Sequence, residues 1–161
     1  MSQPEESGVP GGIQFTMGTV WHVAHLFVVG AWAGLVASEM AMELVARRNP
    51  KHHLSMAHFH HVIDRFVEVP LLCLIVITGT VLLFKVHIDT LLWVKVACGS
   101  AAIGINLWCW RVVVARNHLL DAEDDGPEAD RLTSGVFRAV YTGLPLALIA
   151  FYLGARRAGW L

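Results

Sequence analysis

The stretch Val69-Pro-Leu-Leu-Cys-Leu-Ile-Val-Ile-Thr-Gly-Thr-Val-Leu-Leu-Phe84 decides the fold class. It contains no charged residue, and it is the cleanest part of a longer apolar segment that runs from about residue 57 to 84. A helix needs about 20 mostly apolar residues, each rising 1.5 Å, to cross a bilayer. Unpaired backbone amides are too costly in lipid, and barrel strands would be shorter and would alternate. The stretch therefore predicts a transmembrane α-helix.

Three further segments meet the same requirement, at about residues 17–45, 90–114 and 135–153. Polar links separate the four, and Ser134 is the predicted cap of the last helix. We therefore predict an all-α fold, an antiparallel bundle of four transmembrane helices over residues 17–161. Residues 1–16 form a flexible polar tail in this interpretation.

The composition favours a membrane protein over a nucleic-acid-binding or disulfide-rich one. Hydrophobic residues make up 55% of the chain and charged residues only 16%, unlike usual globular usage. The net charge of -1 and the lack of a basic stripe argue against nucleic acid as a partner. The three cysteines lie in apolar stretches without CxxC spacing, which favours inert buried thiols.

The distribution of basic residues predicts the orientation, because cytoplasmic loops are enriched in Lys and Arg. Most basic residues fall on one side of the predicted bundle, while Lys85, Lys95, Arg156 and Arg157 fall on the other. We place the richer side in the cytoplasm. The prediction is a multi-pass protein of a bacterial-type inner (plasma) membrane, in contact with the lipid bilayer and with both termini outside.

Ionisable residues inside the spans form two layers, and such residues usually face the bundle interior and carry function. The outer layer consists of His22 and His25, which share a face of the first helix, and Lys95 at a similar depth on the third. Imidazole is a common ligand of haem iron and copper. Interfacial histidines that bind only water are the alternative. Trp32 lies deeper, where it packs against either a cofactor ring or other helices.

The inner layer consists of Glu39 on the first helix and of His61, Asp64 and Glu68 on the second. The last three recur at i, i+3 and i+7 and so share a face. Carboxylates and imidazoles from neighbouring helices can build metal sites in bundles. The alternative is a solvated helix end, an interpretation that suits Glu43, His52, His53 and His60 best and Glu68 least.

The order of these features resembles the HemJ-type protoporphyrinogen oxidase family over about residues 20–153, and CopD-type copper-resistance domains share the same plan. The resemblance starts with the stretch His25-Leu-Phe-Val-Val-Gly-Ala-Trp-Ala-Gly-Leu35. It continues with Val69-Pro70 leading to Gly79, with Trp93-Val94-Lys95, and with Phe137-Arg138 followed by Leu144-Pro145. Val94 stands where the family has a histidine, and the inner layer has no counterpart in the family pattern.

The resemblance implies a bound haem b with His25 as an axial ligand. It also implies a porphyrin-like substrate or a redox partner. His22, Trp32 and Lys95 are then the further cofactor-binding candidates, and Lys95 is the catalytic candidate. The leading hypothesis is a membrane oxidoreductase or electron-transfer protein.

Two other functions stay open. One is a copper, iron or zinc site built from Glu39, His61, Asp64 and Glu68. His25 and His61 would lie roughly 20 Å apart along the helices, too far to ligate one iron. The other is a structural or proton-relay subunit of a larger complex. Small residues on the first and third helices permit close helix contacts, and we expect a homodimer.

Overall fold

The computed structural model describes residues 17–48, 53–122 and 126–160, and every regular element within them is a helix. The predicted polar tail, residues 1–16, lies outside the described residues. In chain order the helices are α1 (Met17–Arg48), α2 (His53–Ile63), α3 (Val69–Leu83), α4 (Thr90–Asp121) and α5 (Pro127–Arg157). A five-residue π-helical turn, Asp64–Glu68, joins α2 to α3 as one continuous helix.

The prediction of an all-helical chain with four long apolar helices is confirmed. The helices long and apolar enough to cross a membrane are Gly18–Arg48, Ser55–Leu83, Thr90–Asp121 and Pro127–Arg157. The last begins well before the predicted residue 135, with Gly126 as its N-cap. Ser134 is therefore not a cap: it lies inside α5 and its hydroxyl donates to the Asp130 carbonyl. The first turns of this helix are polar, so the apolar segment begins later than the helix itself. This explains why the predicted start lies at residue 135.

The π-helical turn has a local cause in Pro70, which follows it directly. A proline ring clashes with the carbonyl four residues earlier in an α-helix and offers no N–H to it. In the wider turn the Val69 N–H donates to the Asp64 carbonyl five residues back, and this bonding pattern ends directly before Pro70. In the wider turn, side chains four residues apart still point to nearly the same side of the helix. Asp64 and Glu68 are accordingly both buried.

Small residues along α5 allow the most extensive helix contact among the described residues, that of α4 with α5. A methyl group added at Gly135 would lie 3.2 Å from Val112, and one added at Gly143 would lie 3.2 Å from Ile105. Larger side chains at these two positions would push α4 away. This is the small-residue packing common between membrane helices.

The contacts between the first and second long helices run in opposite sequence order. His25 meets Thr78, Trp32 meets Glu68, and Glu43 meets His60. By contrast, α3 and α4 make few direct contacts although a short link connects them. A cavity occupies the space between them.

Many large apolar side chains lie on the outside of the molecule, and several charged side chains are buried within its apolar core. Phe27 is 75% exposed and Phe66 is 68% exposed, while Arg116 is fully buried. In water this distribution would be unfavourable, because it exposes large apolar groups and hides charges.

The link between α3 and α4 is fastened by Asp89 at the end of the bundle near the cavity. Its carboxylate caps α4 by accepting from the Leu92 N–H at 2.8 Å. Arg157 of α5 donates to the same carboxylate oxygen at 2.6 Å and to the His87 carbonyl at 2.7 Å. The Leu92 N–H and the Arg157 guanidinium both stabilise the ionised form, so they hold the pKa of Asp89 below its usual value.

We expect Asp89→Asn to lower the melting temperature and Asp89→Ala to lower it further, because asparagine keeps a cap acceptor and alanine does not. A depressed folded-state pKa contributes stability above the unfolded pKa of about 3.9, and that stability is lost as the pH falls. The difference between wild type and Asp89→Asn should therefore be full at neutral pH and shrink below about pH 4. Thermal unfolding in detergent checks this, with exposed Glu128→Gln as control. Equal melting temperatures for wild type and Asp89→Ala would contradict it.

Candidate functional site

A cavity of about 230 Å³ lies between α1, α3, α4 and α5, and we call it the His25 cavity. Most of its walls are aliphatic. Its polar side chains gather toward one end, where α1, α4 and α5 each contribute a nitrogen base or cation. They are His22, His25, Lys95 and Arg157.

The His25 ring is held in one orientation by Thr78. The Thr78 hydroxyl donates to the Leu74 carbonyl at 2.6 Å, so its oxygen accepts from the His25 Nδ1–H at 2.8 Å. A neutral imidazole with its proton on Nδ1 leaves the Nε2 lone pair free. Within the described ranges no hydrogen bond occupies that Nε2, and His25 is 8% exposed. The ring thus presents a ligand nitrogen in an apolar cavity.

Gly79 gives the His25 ring the space it needs beside α3. A methyl group added at Gly79 would lie 3.1 Å from His25 Cε1, closer than side chains normally approach. Gly154 does the same for Lys95, since a methyl group there would lie 3.0 Å from its Cε. Two of the three predicted outer-layer residues, His25 and Lys95, therefore lie in slots that glycine leaves open.

The structure brings His22, His25, Trp32 and Lys95 to the walls of one cavity. His22 donates from Nδ1 to the Gly18 carbonyl at 2.9 Å, which accounts for one of its two ring nitrogens. Trp32 is 4% exposed. All four cofactor-binding candidates of the sequence analysis therefore surround the same space.

A second assembly of polar groups is buried further along α1, α2 and α4, and we call it the polar cluster. Arg116 donates through both terminal nitrogens to Glu43, at 3.0 Å and 2.6 Å. The His60 Nδ1–H donates to the same Glu43 carboxylate at 2.8 Å. Glu43 is therefore a shared acceptor for a cation of α4 and an imidazole of α2. The members of the polar cluster, all buried, are Glu39, Glu43, His60, Asp64, Glu68 and Arg116.

The other nitrogen of His60 faces two more carboxylates. Nε2 lies 3.4 Å from Asp64 Oδ1 and 3.7 Å from Glu39 Oε2. One potential ligand atom from each of these three residues lies within 4.8 Å of the others. Such a spacing suits a cation between them.

Glu68 connects the polar cluster to the His25 cavity. Its Oε1 accepts from the Trp32 indole N–H at 2.9 Å and from the Asn106 amide at 2.7 Å. Trp32 also lines the cavity. The Trp32 side chain therefore lines the cavity and also donates a hydrogen bond to the polar cluster.

The expected partner of Glu39 and Asp64 was His61, and the structure has His60 in that place. His61 is half-buried and its Nδ1 has no hydrogen-bond partner. The prediction combined positions i, i+3 and i+7, whereas the buried face holds positions i, i+4 and i+8 through the π-helical turn. His60 and Glu43, assigned to a solvated helix end, are buried instead.

The sequence analysis also missed Thr78, Asn106 and Arg116 as site residues. Arg116 was counted only among the cytoplasmic basic residues, yet it is fully buried. One available signal was Asn106, an amide in the middle of an apolar span. Thr78 carries no such signal, because threonine hydroxyls commonly bond to their own helix.

Comparisons with protein families, with characterised proteins and with solved structures find no match.

The Arg116–Glu43 pair supplies a prediction about stability. Arg116→Met should destabilise the protein by about 3–5 kcal/mol, because Glu43 would remain buried without its cation. Adding Glu43→Leu to Arg116→Met should recover much of this loss, since the carboxylate that lost its cation is then removed as well. Unfolding in detergent micelles measures both effects, and Arg111→Met, an exposed position on the same helix, is the control. A cost for Arg116→Met no larger than the control would contradict the pair's role.

Proposed function

We propose that this chain is an integral membrane protein, an antiparallel bundle of four spanning helices, which binds haem b in the His25 cavity and acts in electron transfer or as an oxidoreductase. The observation that carries the proposal is the His25 ring, with Nδ1 held by Thr78 and Nε2 free in an apolar cavity. Iron-ligating histidines typically use one ring nitrogen for the metal and hydrogen-bond through the other.

Membrane insertion is supported by the four long apolar helices and by their apolar exterior. Lipid removes the cost of exposed apolar side chains, and it favours the satisfaction of polar groups inside the bundle. The richer share of basic residues at the polar-cluster end supports our placing that end in the cytoplasm of a bacterial-type inner membrane. Both termini would then lie outside.

The cavity fits a haem in the chemistry of its residues. His25 would supply a nitrogen for the iron, the walls are mostly aliphatic, and Lys95 with Arg157 would supply positive charge for the propionates. The enclosed volume, about 230 Å³, is below the range of roughly 300–1,000 Å³ for ligand pockets. The cavity would therefore have to widen to take the whole group.

His22 is a poor second axial ligand, because it lies on the same helix as His25, one turn away. Both side chains would reach the group from the same helix, and His22 already donates from Nδ1 to the Gly18 carbonyl. We therefore place His22 beside the group and not on its iron. A bound haem with an open position supplies one-electron or oxygen chemistry.

Lys95 stays the catalytic candidate. Its side chain packs over Gly154 at the polar end of the cavity, where its ammonium would hold an anionic substrate or a propionate. The resemblance to HemJ-type oxidases supports the same two residues, His25 and Lys95. A porphyrin-like substrate follows from that resemblance alone, as does a redox partner.

We expect His25→Ala to remove the haem absorption band of the purified protein, because it removes the imidazole whose Nε2 would hold the iron. His22→Ala should keep most of the band. Both effects are measured by the absorption spectrum of each variant, purified from cells that are supplied with haem. The control is His58→Ala, an exposed histidine of α2. Full haem occupancy in His25→Ala, or a wild-type protein without haem, would overturn the proposal.

The hydroxyl of Thr78 should matter as well. Thr78→Val keeps the side-chain shape but removes the acceptor of the His25 Nδ1–H, so haem affinity should fall by about 10–100-fold. Haem titration of the apoprotein measures the affinity, and Thr142→Val, an exposed threonine of α5, is the control. Unchanged affinity in Thr78→Val would show that the hydrogen bond does not position the ligand.

A further inference from the structure

The polar cluster contains more negative charge than its cations balance. Four carboxylates, from Glu39, Glu43, Asp64 and Glu68, face one guanidinium and one imidazole, and all are buried. If every carboxylate is ionised, an excess of at least two negative charges remains. Such an excess inside a protein requires bound protons or a cation.

Two of the carboxylates also have unused oxygens. Glu39 Oε1 and Asp64 Oδ1 are buried atoms with no hydrogen-bond partner, and the two side chains are only 5% and 2% exposed. Buried polar atoms are nearly always satisfied. Asp64 Oδ1 faces His60 Nε2 at 3.4 Å and Glu39 turns its other oxygen, Oε2, toward the same nitrogen, so the unpartnered oxygens indicate an absent ligand at this site. Each of these carboxylate oxygens offers only lone pairs. The missing ligand must therefore accept electron pairs, as a metal cation does.

The orientation of His60 fits a metal ligand. Its Nδ1–H is taken by Glu43, which Arg116 holds in turn, so the lone pair lies on Nε2. Nε2 faces Glu39 and Asp64. A carboxylate that fixes the tautomer of a ligating imidazole is a common arrangement behind metal sites.

We propose that Glu39, His60 and Asp64 bind a divalent first-row transition metal ion between α1 and α2. The site adds to the haem cavity and does not depend on it. One imidazole and two carboxylates suit Zn²⁺, Fe²⁺ or Mn²⁺, and a fourth position stays for water or for another ligand. A neighbouring cavity of about 20 Å³, lined by Glu39, Glu43 and His60 among others, has room for one water.

Cys109 and Met40 also line that small cavity, and they could in principle contribute sulfur. We assign the metal to oxygen and nitrogen ligands, because the three close donor atoms come from Glu39, His60 and Asp64. Glu43 acts as a positioning residue through His60. Glu68 is engaged by Trp32 and Asn106 through Oε1, and we leave it outside the ligand set.

The test is zinc binding to the full chain in detergent after dialysis against a chelator. We expect the wild type to take up one Zn²⁺ per chain, measured by elemental analysis and by titration against a chromophoric competitor. Glu39→Gln and Asp64→Asn should each weaken binding by more than about 100-fold, and Glu43→Gln by about 10–100-fold. His58→Gln, an exposed histidine on the same helix, should bind as the wild type does.

Zinc X-ray absorption should show oxygen and nitrogen neighbours without sulfur. A wild-type chain that binds no Zn²⁺ overturns the site, and so does unchanged affinity in Glu39→Gln and Asp64→Asn. Sulfur at the zinc overturns the ligand set. If the ligand variants fail to fold, the wild type still decides, since Zn²⁺ should raise its melting temperature and a chelator should reverse this.

His25→Ala separates this proposal from the haem proposal. It should lose the haem band and keep zinc binding, because His25 lies 14 residues from Glu39 along α1, roughly 20 Å. Failure to bind haem would therefore leave the zinc result untouched. Loss of zinc in His25→Ala would contradict an independent site.

Discussion

The bidentate pair between Arg116 and Glu43 is the interaction on which one end of the molecule depends. It joins α4 to α1, and the same carboxylate receives the His60 proton from α2. Three helices thus meet on one side chain. An Arg guanidinium matches a carboxylate with two parallel hydrogen bonds, which gives direction as well as attraction. The tautomer and rotation of His60 follow from this contact, and so does the convergence of His60 with Glu39 and Asp64.

The π-helical turn has an equal influence on the interior. It lets Pro70 remain within a continuous helix, and it keeps Asp64 and Glu68 turned inward. π-helical turns are often found at functional sites. Glu68 then reaches Trp32, so the tryptophan that closes one end of the His25 cavity is held by a residue of the polar cluster. The two sites share a wall although their titratable groups lie far apart.

Hydropathy was sufficient for the helix number and class, because spanning length and low charge are properties of sequence alone. It also placed His25, Lys95 and Trp32 at compatible depths. Rotation about each helix axis was not accessible, since neighbouring residues differ by about 100° and a single wide turn changes which ones point inward. His60 therefore took the place predicted for His61. Arg116 shows the same limit: a charge near a helix end reads as solvated until its partner on another helix is known.

The order of residues along the chain has a consequence for biosynthesis in a membrane. α1 carries Glu39 and Glu43, but His60 follows one helix later and Arg116 only on the third long helix. A ribosome that feeds the chain from its N-terminus delivers these acids before their partners exist. Acidic groups in lipid are costly, so in a chain that inserts as we propose, α1 would have to keep them near water or protonated until α4 arrives. Glu43 would then lose its contact with water only when α4 packs against α1 and brings Arg116 to it.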